Sequence, residues 1–181
     1  MKKQTIQFAR GLVLLPFFTA SSPFAMLYEM NLFSNYAVVE ESVSLAEERA
    51  GKIDAYFAKR GMPLEGHGAK FVAEAEKNGL DWRLLPAIAI KESTGGKFAC
   101  GYNPFGWGSC KIVKFKSWDA AIETVAHNLG GNNPVTSRYY NGTTTEEKLH
   151  HYNGSVVPTY TGEVLEFMEL IEKTEVNKDR A

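Results

Sequence analysis

Neither sign of charge dominates this sequence. Lys and Arg number 20, Asp and Glu number 21, and the formal net charge is -1. Without a net field, the chain has no general attraction for nucleic acid or for an anionic membrane surface. Repeats and low-complexity tracts are also missing, and 181 residues suffice for one domain with a substantial core. We therefore expect one globular domain that acts as a monomer, with partners recognised by local features.

Long apolar runs are lacking as well. The N-terminal stretch GLVLLPFFTA is too short to span a bilayer comfortably, and Pro16 interrupts it. Lys2, Lys3 and Arg10 precede it and small residues follow, which is the order of a secretory signal. The small-x-small cleavage pattern is not clean, so an uncleaved membrane tether is the alternative. We predict that residues 1–25 are a signal peptide or N-terminal membrane anchor and that the protein is exported to the cell envelope or the extracellular space.

Cysteine is scarce: the chain has two, Cys100 and Cys110, separated by nine residues. Export favours a disulfide between them, and a loop of this length suits one. One alternative is half of a zinc site completed by His127, His150 or His151, although the usual Cys-x2-4-Cys spacing is absent. The other is a catalytic cysteine with a distant histidine, for which there is no local signature.

Helical spacing begins clearly after residue 51. Residues 26–51 mix apolar and acidic groups without a clean period and are predicted to be a linker. Residues 52–174 are predicted to form a mainly α domain, and residues 175–181 a tail. The irregular stretch between two of its helices is expected to form a small irregular or β-containing lobe, with KIVKF (111–115) as a strand candidate.

Capping signals mark the predicted helices. Asp81 is a candidate N-cap for WRLLPAIAIKEST, but Pro86 requires either a kinked first turn or a helix that begins near Leu84. Ser117 is a candidate cap for the clearest helix, whose apolar stripe is Trp118, Ala121, Ile122, Val125, Ala126 and Leu129. Thr144 and Glu147 form a predicted capping box for a short helix through Tyr152. A last helix from about Pro158 carries Tyr160, Val164, Phe167, Met168 and Ile171 on one side.

One acid, Glu92, lies near the end of an apolar helix. It follows Ile88 by four residues and Ala89 by three, so a helix places it on their face. Burial and the negative end of the helix dipole both disfavour its charged form, which predicts a raised pKa. A carboxyl that keeps its proton near neutral pH can serve as a general acid. The alternative is an ordinary glutamate at a helix end, with Lys91 and Lys97 nearby.

An aromatic loop rich in glycine follows Glu92. Its aromatic residues, with the one that opens the next helix, are Phe98, Tyr102, Phe105, Trp107, Phe115 and Trp118. Flat aromatic faces suit stacking on sugar rings, and glycines let the backbone approach a ligand closely. The alternative is that some of these rings fill the core.

The segments AIAIKESTGGK and NPFGWGS together resemble the lysozyme-like superfamily of bacterial cell-wall glycosidases. The likeness is greatest to the N-acetylglucosaminidases of glycoside hydrolase family 73 and to the lytic transglycosylases. Those proteins carry a catalytic Glu in a Glu-Ser context at a helix end, followed by an N-x-F-G turn that lines the sugar cleft. Downstream, HYNGSVVPTY is similar to the transglycosylase Y-N-x-G segment, whose Tyr lies close to the acid. The G-x-M-Q stretch of transglycosylases is missing here.

The resemblance implies a lysozyme-like helical fold, peptidoglycan glycan strands as substrate, and no cofactor or metal. It implies that Glu92 is catalytic and that Tyr152 lies beside it and orients either the acid or the substrate's N-acetyl group. The candidate substrate-binding residues are Ser93, Tyr102, Asn103, Phe105, Gly106, Trp107 and Asn153.

The count of acids favours a mechanism with a single carboxyl group. Glycosidases with two carboxylates hold them about 5 to 9.5 Å apart, but residues 93–118 contain no Asp or Glu. The next acids, Asp119 and Glu123, each have a structural explanation on the following helix. We expect Glu92 to act alone, as in an N-acetylglucosaminidase that hydrolyses cell-wall glycan. The alternatives are a lytic transglycosylase with anhydro products and an inactive glycan-binding module.

Overall fold

The computed structural model describes residues 23–109 and 112–176, with side chains from residue 38 onward. Within these ranges the chain is mainly α, as predicted. The helices are α1 (Pro23–Lys59), α2 (Gly68–Lys77), α3 (Leu84–Ser93), α4 (Trp118–Leu129), α5 (Ser137–Tyr140), α6 (Thr145–Leu149) and α7 (Tyr160–Glu172), with a π-helical turn at His150–Gly154. None of these helices has the length and hydropathy needed to cross a membrane. Most of the predicted leader, and part of the predicted tail, lie outside the described residues.

Helix α1 contains the boundary between two compact units, Met1–Glu40 and Glu41–Ala181. The predicted linker, residues 26–51, is helical throughout. The second unit begins before the predicted domain boundary at Lys52, because side chains such as that of Ala50 pack against the core. The features described below all belong to this second unit.

Helix α3 is the central helix of the core. Every residue from Leu84 to Ile90 is buried, and the helix packs against α7, α2 and α4. The sequence predicted one apolar stripe, but a helix enclosed by other helices is apolar on all sides. Asp81 is not the N-cap; its Oδ1 accepts the backbone N–H of Arg83 at 2.9 Å, and the helix begins at Leu84, which was the alternative start. Pro86 therefore lies in the first turn, where a missing N–H is tolerated.

The predicted caps of α4 and α6 are confirmed. Ser117 Oγ accepts the backbone N–H of Ala120 at 3.1 Å, and a cap of this kind contributes about 1 kcal/mol. The stripe of α4 from Ala121 to Leu129 is buried. Thr144 and Glu147 form the reciprocal capping box, but α6 ends at Leu149 and the chain continues as the π-helical turn. Helix α7 buries four of its five predicted core residues: Tyr160, Val164, Met168 and Ile171.

The strand prediction for KIVKF is wrong for the part that the structure describes. No strand occurs in residues 23–109 or 112–176, where the one β feature is an isolated bridge between Cys100 and Asn103. The N–H groups of Ile112 and Val113 instead bond to the carbonyl of Ser109, at 3.1 and 3.0 Å. Since those donors close a turn, they are not available to pair with a neighbouring strand.

Candidate active site

The last turn of α3 carries Glu92 into the site. Just beyond it, Thr94 and Gly95 adopt left-handed angles, with φ values of 54° and 61°. The N–H of Gly95 bonds to the carbonyl of Ala89 at 3.1 Å, which ends the helix and reverses the chain. Glycine is also needed there for space, because a Cβ would lie 2.6 Å from Met62 Sδ. The abrupt reversal lets the following loop return alongside Glu92.

One carboxyl oxygen of Glu92 is fixed by a tyrosine on α7. The Tyr160 hydroxyl donates a hydrogen bond to Oε1 at 2.7 Å. Burial raises the pKa of Glu92 above its ordinary value, while the hydrogen bond from Tyr160 and the positive charge of Lys91 act in the opposite direction. Burial is the strongest of these effects. The prediction of a raised pKa, made from helix position alone, agrees with this environment.

The other oxygen, Oε2, faces the loop at Gly106. A Cβ built on Gly106 would lie 3.3 Å from Oε2, and no hydrogen bond reaches this oxygen from any residue that the structure describes. Because Tyr160 donates to Oε1, the proton of the neutral carboxyl group is expected on Oε2. Gly106 has a φ of 62°, so glycine supplies both the backbone angle and the clearance. The carboxyl group thus has one anchored oxygen and one that can present a proton.

A cleft of about 230 Å³ lies against Glu92. Its lining residues are Glu92, Phe105, Gly106, Trp107, Gly108, Tyr152 and Asn153. Six of these were predicted from the sequence to act in catalysis or substrate binding, and the seventh, Gly108, is a glycine of the loop that follows Glu92. Glu92 is the one acid among these lining residues.

Two predicted substrate-binding residues, Asn103 and Ser93, are buried behind the cleft wall. Asn103 Nδ2 donates to the carbonyl of Trp107 at 2.9 Å, and its Oδ1 accepts the Trp107 N–H at 3.0 Å. Ser93 Oγ donates to the carbonyl of Pro104 at 2.7 Å and accepts the N–H of Gly96 at 3.0 Å. Their polar groups are thus engaged within the protein, and both residues hold the loop that forms the wall.

Tyr152 lines the cleft without bonding to Glu92. Its hydroxyl donates to the carbonyl of Phe105 at 2.6 Å. Its ring is stacked on Tyr160, with 6.0 Å between centroids and 9° between planes, and Trp107 lies against it at 5.7 Å. Burial, followed by the charge of Glu92, raises the pKa of Tyr152 well above its ordinary value, so its hydroxyl stays a proton donor. Tyr152 therefore ties the π-helical turn to the loop, and the tyrosine hydroxyl that bonds to Glu92 is that of Tyr160. A contact of Tyr152 with the substrate's N-acetyl group stays a prediction.

Other predicted residues lie away from the cleft lining. Tyr102 is 47% exposed and makes an edge-on contact with Trp118 at 5.2 Å. Asp119 contacts His67 Nδ1 at 2.7 Å, and Glu123 pairs with Lys70 at 3.6 Å, so both acids have partners elsewhere.

The cysteine predictions stay open. Pairing of Cys100 with Cys110 is a prediction still, because Cys110 lies outside the described residues. Across the described side chains, residues 38–109 and 112–176, no three His, Cys, Asp or Glu residues are grouped as ligands for a metal ion.

The sequence missed Tyr160 as a site residue, since its spacing with Val164 and Met168 assigned it to the core. Tyr160 is buried, as predicted. A buried tyrosine hydroxyl group needs a hydrogen-bond partner, and this requirement could have indicated a polar neighbour such as Glu92. The sequence also missed an ion pair between Lys91 and Glu163, which joins the same two helices one residue away from Glu92. Nothing in the local pattern of either helix indicated which residues would face each other.

Comparison of the chain with protein families, with curated proteins and with solved structures finds no match in any of the three.

Proposed function

We propose that this domain cleaves the glycan strands of peptidoglycan, with Glu92 as its single general acid and base. The observation that carries the proposal is the environment of Glu92. It is a partly buried carboxyl group whose pKa is raised by burial, anchored through Oε1 and open through Oε2 to an aromatic cleft. General acids are tuned in this way so that they hold a proton near neutral pH.

The first chemical step is proton transfer from Oε2 of Glu92, the carboxyl oxygen that is not bonded to Tyr160. With a sugar chain in the cleft, the proton on Oε2 passes to the glycosidic oxygen, and the bond from that oxygen to the anomeric carbon breaks. The oxocarbenium-like charge on the sugar needs a stabilising group. Glu92 is the one acid in the cleft lining, so the oxygen of the substrate's own N-acetyl group is suited to that task.

In the second step the Glu92 carboxylate acts as a base. It takes a proton from the attacking water or hydroxyl group, which restores the protonated form of Glu92 for the next cycle. If water attacks, the product is a reducing sugar and the enzyme is an N-acetylglucosaminidase-type hydrolase. If the 6-hydroxyl group of the same sugar attacks, the product is an anhydro sugar, as in a lytic transglycosylase. We propose hydrolysis, which matches the missing G-x-M-Q stretch.

Mass spectrometry of the fragments released from purified cell walls tests this proposal. Hydrolysis gives reducing-end N-acetylglucosamine, whereas the transglycosylase alternative gives 1,6-anhydro ends. Cleavage at the other glycosidic bond gives reducing-end N-acetylmuramic acid, which would correct the bond but not the mechanism. Absence of any soluble fragment from well-folded protein would overturn the enzymatic proposal in favour of a glycan-binding module.

A matched pair of variants attributes the activity to Glu92. Glu92→Gln keeps the shape and the Oε1 acceptor, and it is expected to lower the rate by about 10²- to 10⁴-fold, as loss of a general acid does. Glu123→Gln makes the same charge change on an exposed residue of α4 and should leave the rate unchanged. Retained activity in Glu92→Gln would remove this residue from the mechanism.

A further inference from the structure

A second connection between α3 and α7 runs beside the bond from Tyr160 to Glu92. Lys91, adjacent to Glu92 on α3, forms an ion pair with Glu163, which lies three residues after Tyr160 on α7. Both side chains are part-exposed, at 31% and 40%. The helix dipoles favour both charges, because the anionic Glu163 lies in the first turn of α7 and the cationic Lys91 lies in the last turn of α3. The four residues therefore form two parallel links across one helix interface.

The charged and titratable groups around Glu92 come from three elements. Lys91 is its neighbour on α3, Tyr160 and Glu163 come from α7, and Tyr152 comes from the π-helical turn. Lys91 is the one cation in this set, and by itself its charge would stabilise the Glu92 carboxylate and release the proton. Glu163 is paired with that ammonium group and also receives a hydrogen bond from Thr159.

We propose that Glu163 is a positioning residue for Glu92: by holding Lys91 and partly neutralising its charge, it limits how far the ammonium group stabilises the Glu92 carboxylate. The inference rests on the proposed function, since a retained proton matters only if Glu92 is the acid. The hydrogen bond from Lys91 lowers the pKa of Glu163 while burial raises the pKa of Glu92. The pKa values of the two acids on this interface are thereby shifted in opposite directions.

The rival explanation is that the ion pair only fastens α7 to α3. The two explanations predict different directions of change in the pKa of Glu92. Fastening alone predicts that removal of either partner loosens the interface and changes Glu92 in the same direction. Electrostatic tuning predicts opposite changes, because Glu163→Gln leaves an unpaired cation beside Glu92 and Lys91→Met leaves an unpaired anion.

The experiment is a titration of the Glu92 side-chain carboxyl carbon by ¹³C NMR in the full 181-residue chain, with the signal assigned through its loss in Glu92→Gln. Glu163→Gln should move the titration midpoint to lower pH, and Lys91→Met should move it to higher pH. The double variant Lys91→Met/Glu163→Gln should return it towards the wild-type midpoint. Glu172→Gln is the control, because it removes the ion pairs of α7 with Lys52 and with Arg83, and Arg83 lies at the opposite end of α3 from Glu92.

Shifts of the same sign in both single variants, or no shift in either, would overturn the proposal. If one single variant does not fold, the double variant decides: tuning predicts a midpoint near that of the wild type, and fastening predicts a shift at least as large as that of the other single variant. In activity assays, the rate of Glu163→Gln on the basic side of the optimum should fall by about two- to fivefold, the range expected from a part-exposed ion pair. The NMR titration does not depend on activity, so an inactive wild-type protein would refute the proposed function and leave this test of Glu163 intact.

Discussion

The hydroxyl group of Tyr160 lies 2.7 Å from Oε1 of Glu92, and it is the donor in that hydrogen bond. A tyrosine that donates to one carboxyl oxygen also decides which oxygen carries the proton. The bond further limits rotation of the carboxyl group, which matters because proton transfer requires the donor to lie within hydrogen-bond reach of the glycosidic oxygen. Tyr160 thus sets both the orientation of Glu92 and the position of its proton.

Replacement of Tyr160 with phenylalanine keeps the ring stacked on Tyr152 and removes only the hydroxyl group. We expect kcat to fall by about 10- to 150-fold, since loss of a hydrogen bond to a group that carries charge costs about 1.5–3 kcal/mol. The pKa of Glu92 should rise further, because the lost bond favours the ionised form. The basic limb of the pH profile of kcat should therefore move to higher pH.

Tyr152→Phe is the matched control for the predicted shift of the basic limb in Tyr160→Phe. Its hydroxyl group bonds to the carbonyl of Phe105, so its loss should disturb the loop and raise KM, with little change in the basic limb. Equal displacement of the limb in the two variants would contradict the assignment of Tyr160 as the residue that directly controls Glu92.

Gly106 is expected to be essential for the approach of the loop to Glu92. Gly106→Ala combines backbone strain of about 1–2 kcal/mol at φ 62° with a methyl group 3.3 Å from Oε2. Gly101→Ala has the same strain at φ 61° but no atom within 4 Å of the added methyl group. Both variants should lose similar stability in urea unfolding, and only Gly106→Ala should lose most of its kcat. Similar kcat values in the two variants would show that the clearance is unimportant.

Glu92→Gln is expected to stabilise the protein at neutral pH. The pKa of Glu92 is raised above its ordinary 4.5, so the folded state binds more protons than the unfolded state between those two values. Wild-type stability therefore falls as pH rises through this window, and glutamine does not undergo that loss. The melting temperature of the variant minus that of the wild type should increase from pH 4 upwards and then level off. A difference that shrinks as pH rises would indicate a stabilised carboxylate.

Asn103→Ala should destabilise the loop that forms the cleft wall, although Asn103 itself is not part of the cleft lining. It removes two hydrogen bonds to the backbone of Trp107 and leaves those groups unsatisfied in a part-buried position, at a cost of about 1–3 kcal/mol. Asn153→Ala alters a half-buried residue of the cleft lining instead. Urea unfolding should separate them, with Asn103→Ala less stable and Asn153→Ala changed mainly in KM. If the stabilities of the two variants match, Asn103 does not hold the loop.

Local signals predicted most of the helices. The caps at Ser117 and Thr144 depend on residues three apart in the sequence, and both are present. The end of α3 and the position of Glu92 on it also follow from short-range pattern and from the glycines that come next. Such features are predictable because their physical causes lie within one or two turns of the chain.

Contacts between distant residues could not be predicted. Tyr160 is 68 residues from Glu92, and its periodic spacing indicates only that it is buried. The strand at KIVKF failed because β-branched composition is a preference that needs a partner strand, and the described residues supply none. Asn103 was predicted to contact a ligand from its place in the N-x-F-G turn, and Ser93 from its polar side chain. Both residues are buried, and their polar groups bond to the backbone instead.

The π-helical turn at His150–Gly154 makes one wall of the cleft sensitive to chain length. Each residue of a regular helix rotates the chain by about 100°. Deletion of a single amino acid here would therefore move Tyr152 and Asn153 out of the cleft lining and break the stacking of Tyr152 on Tyr160. A one-codon deletion should therefore leave a folded protein that lacks the proposed activity.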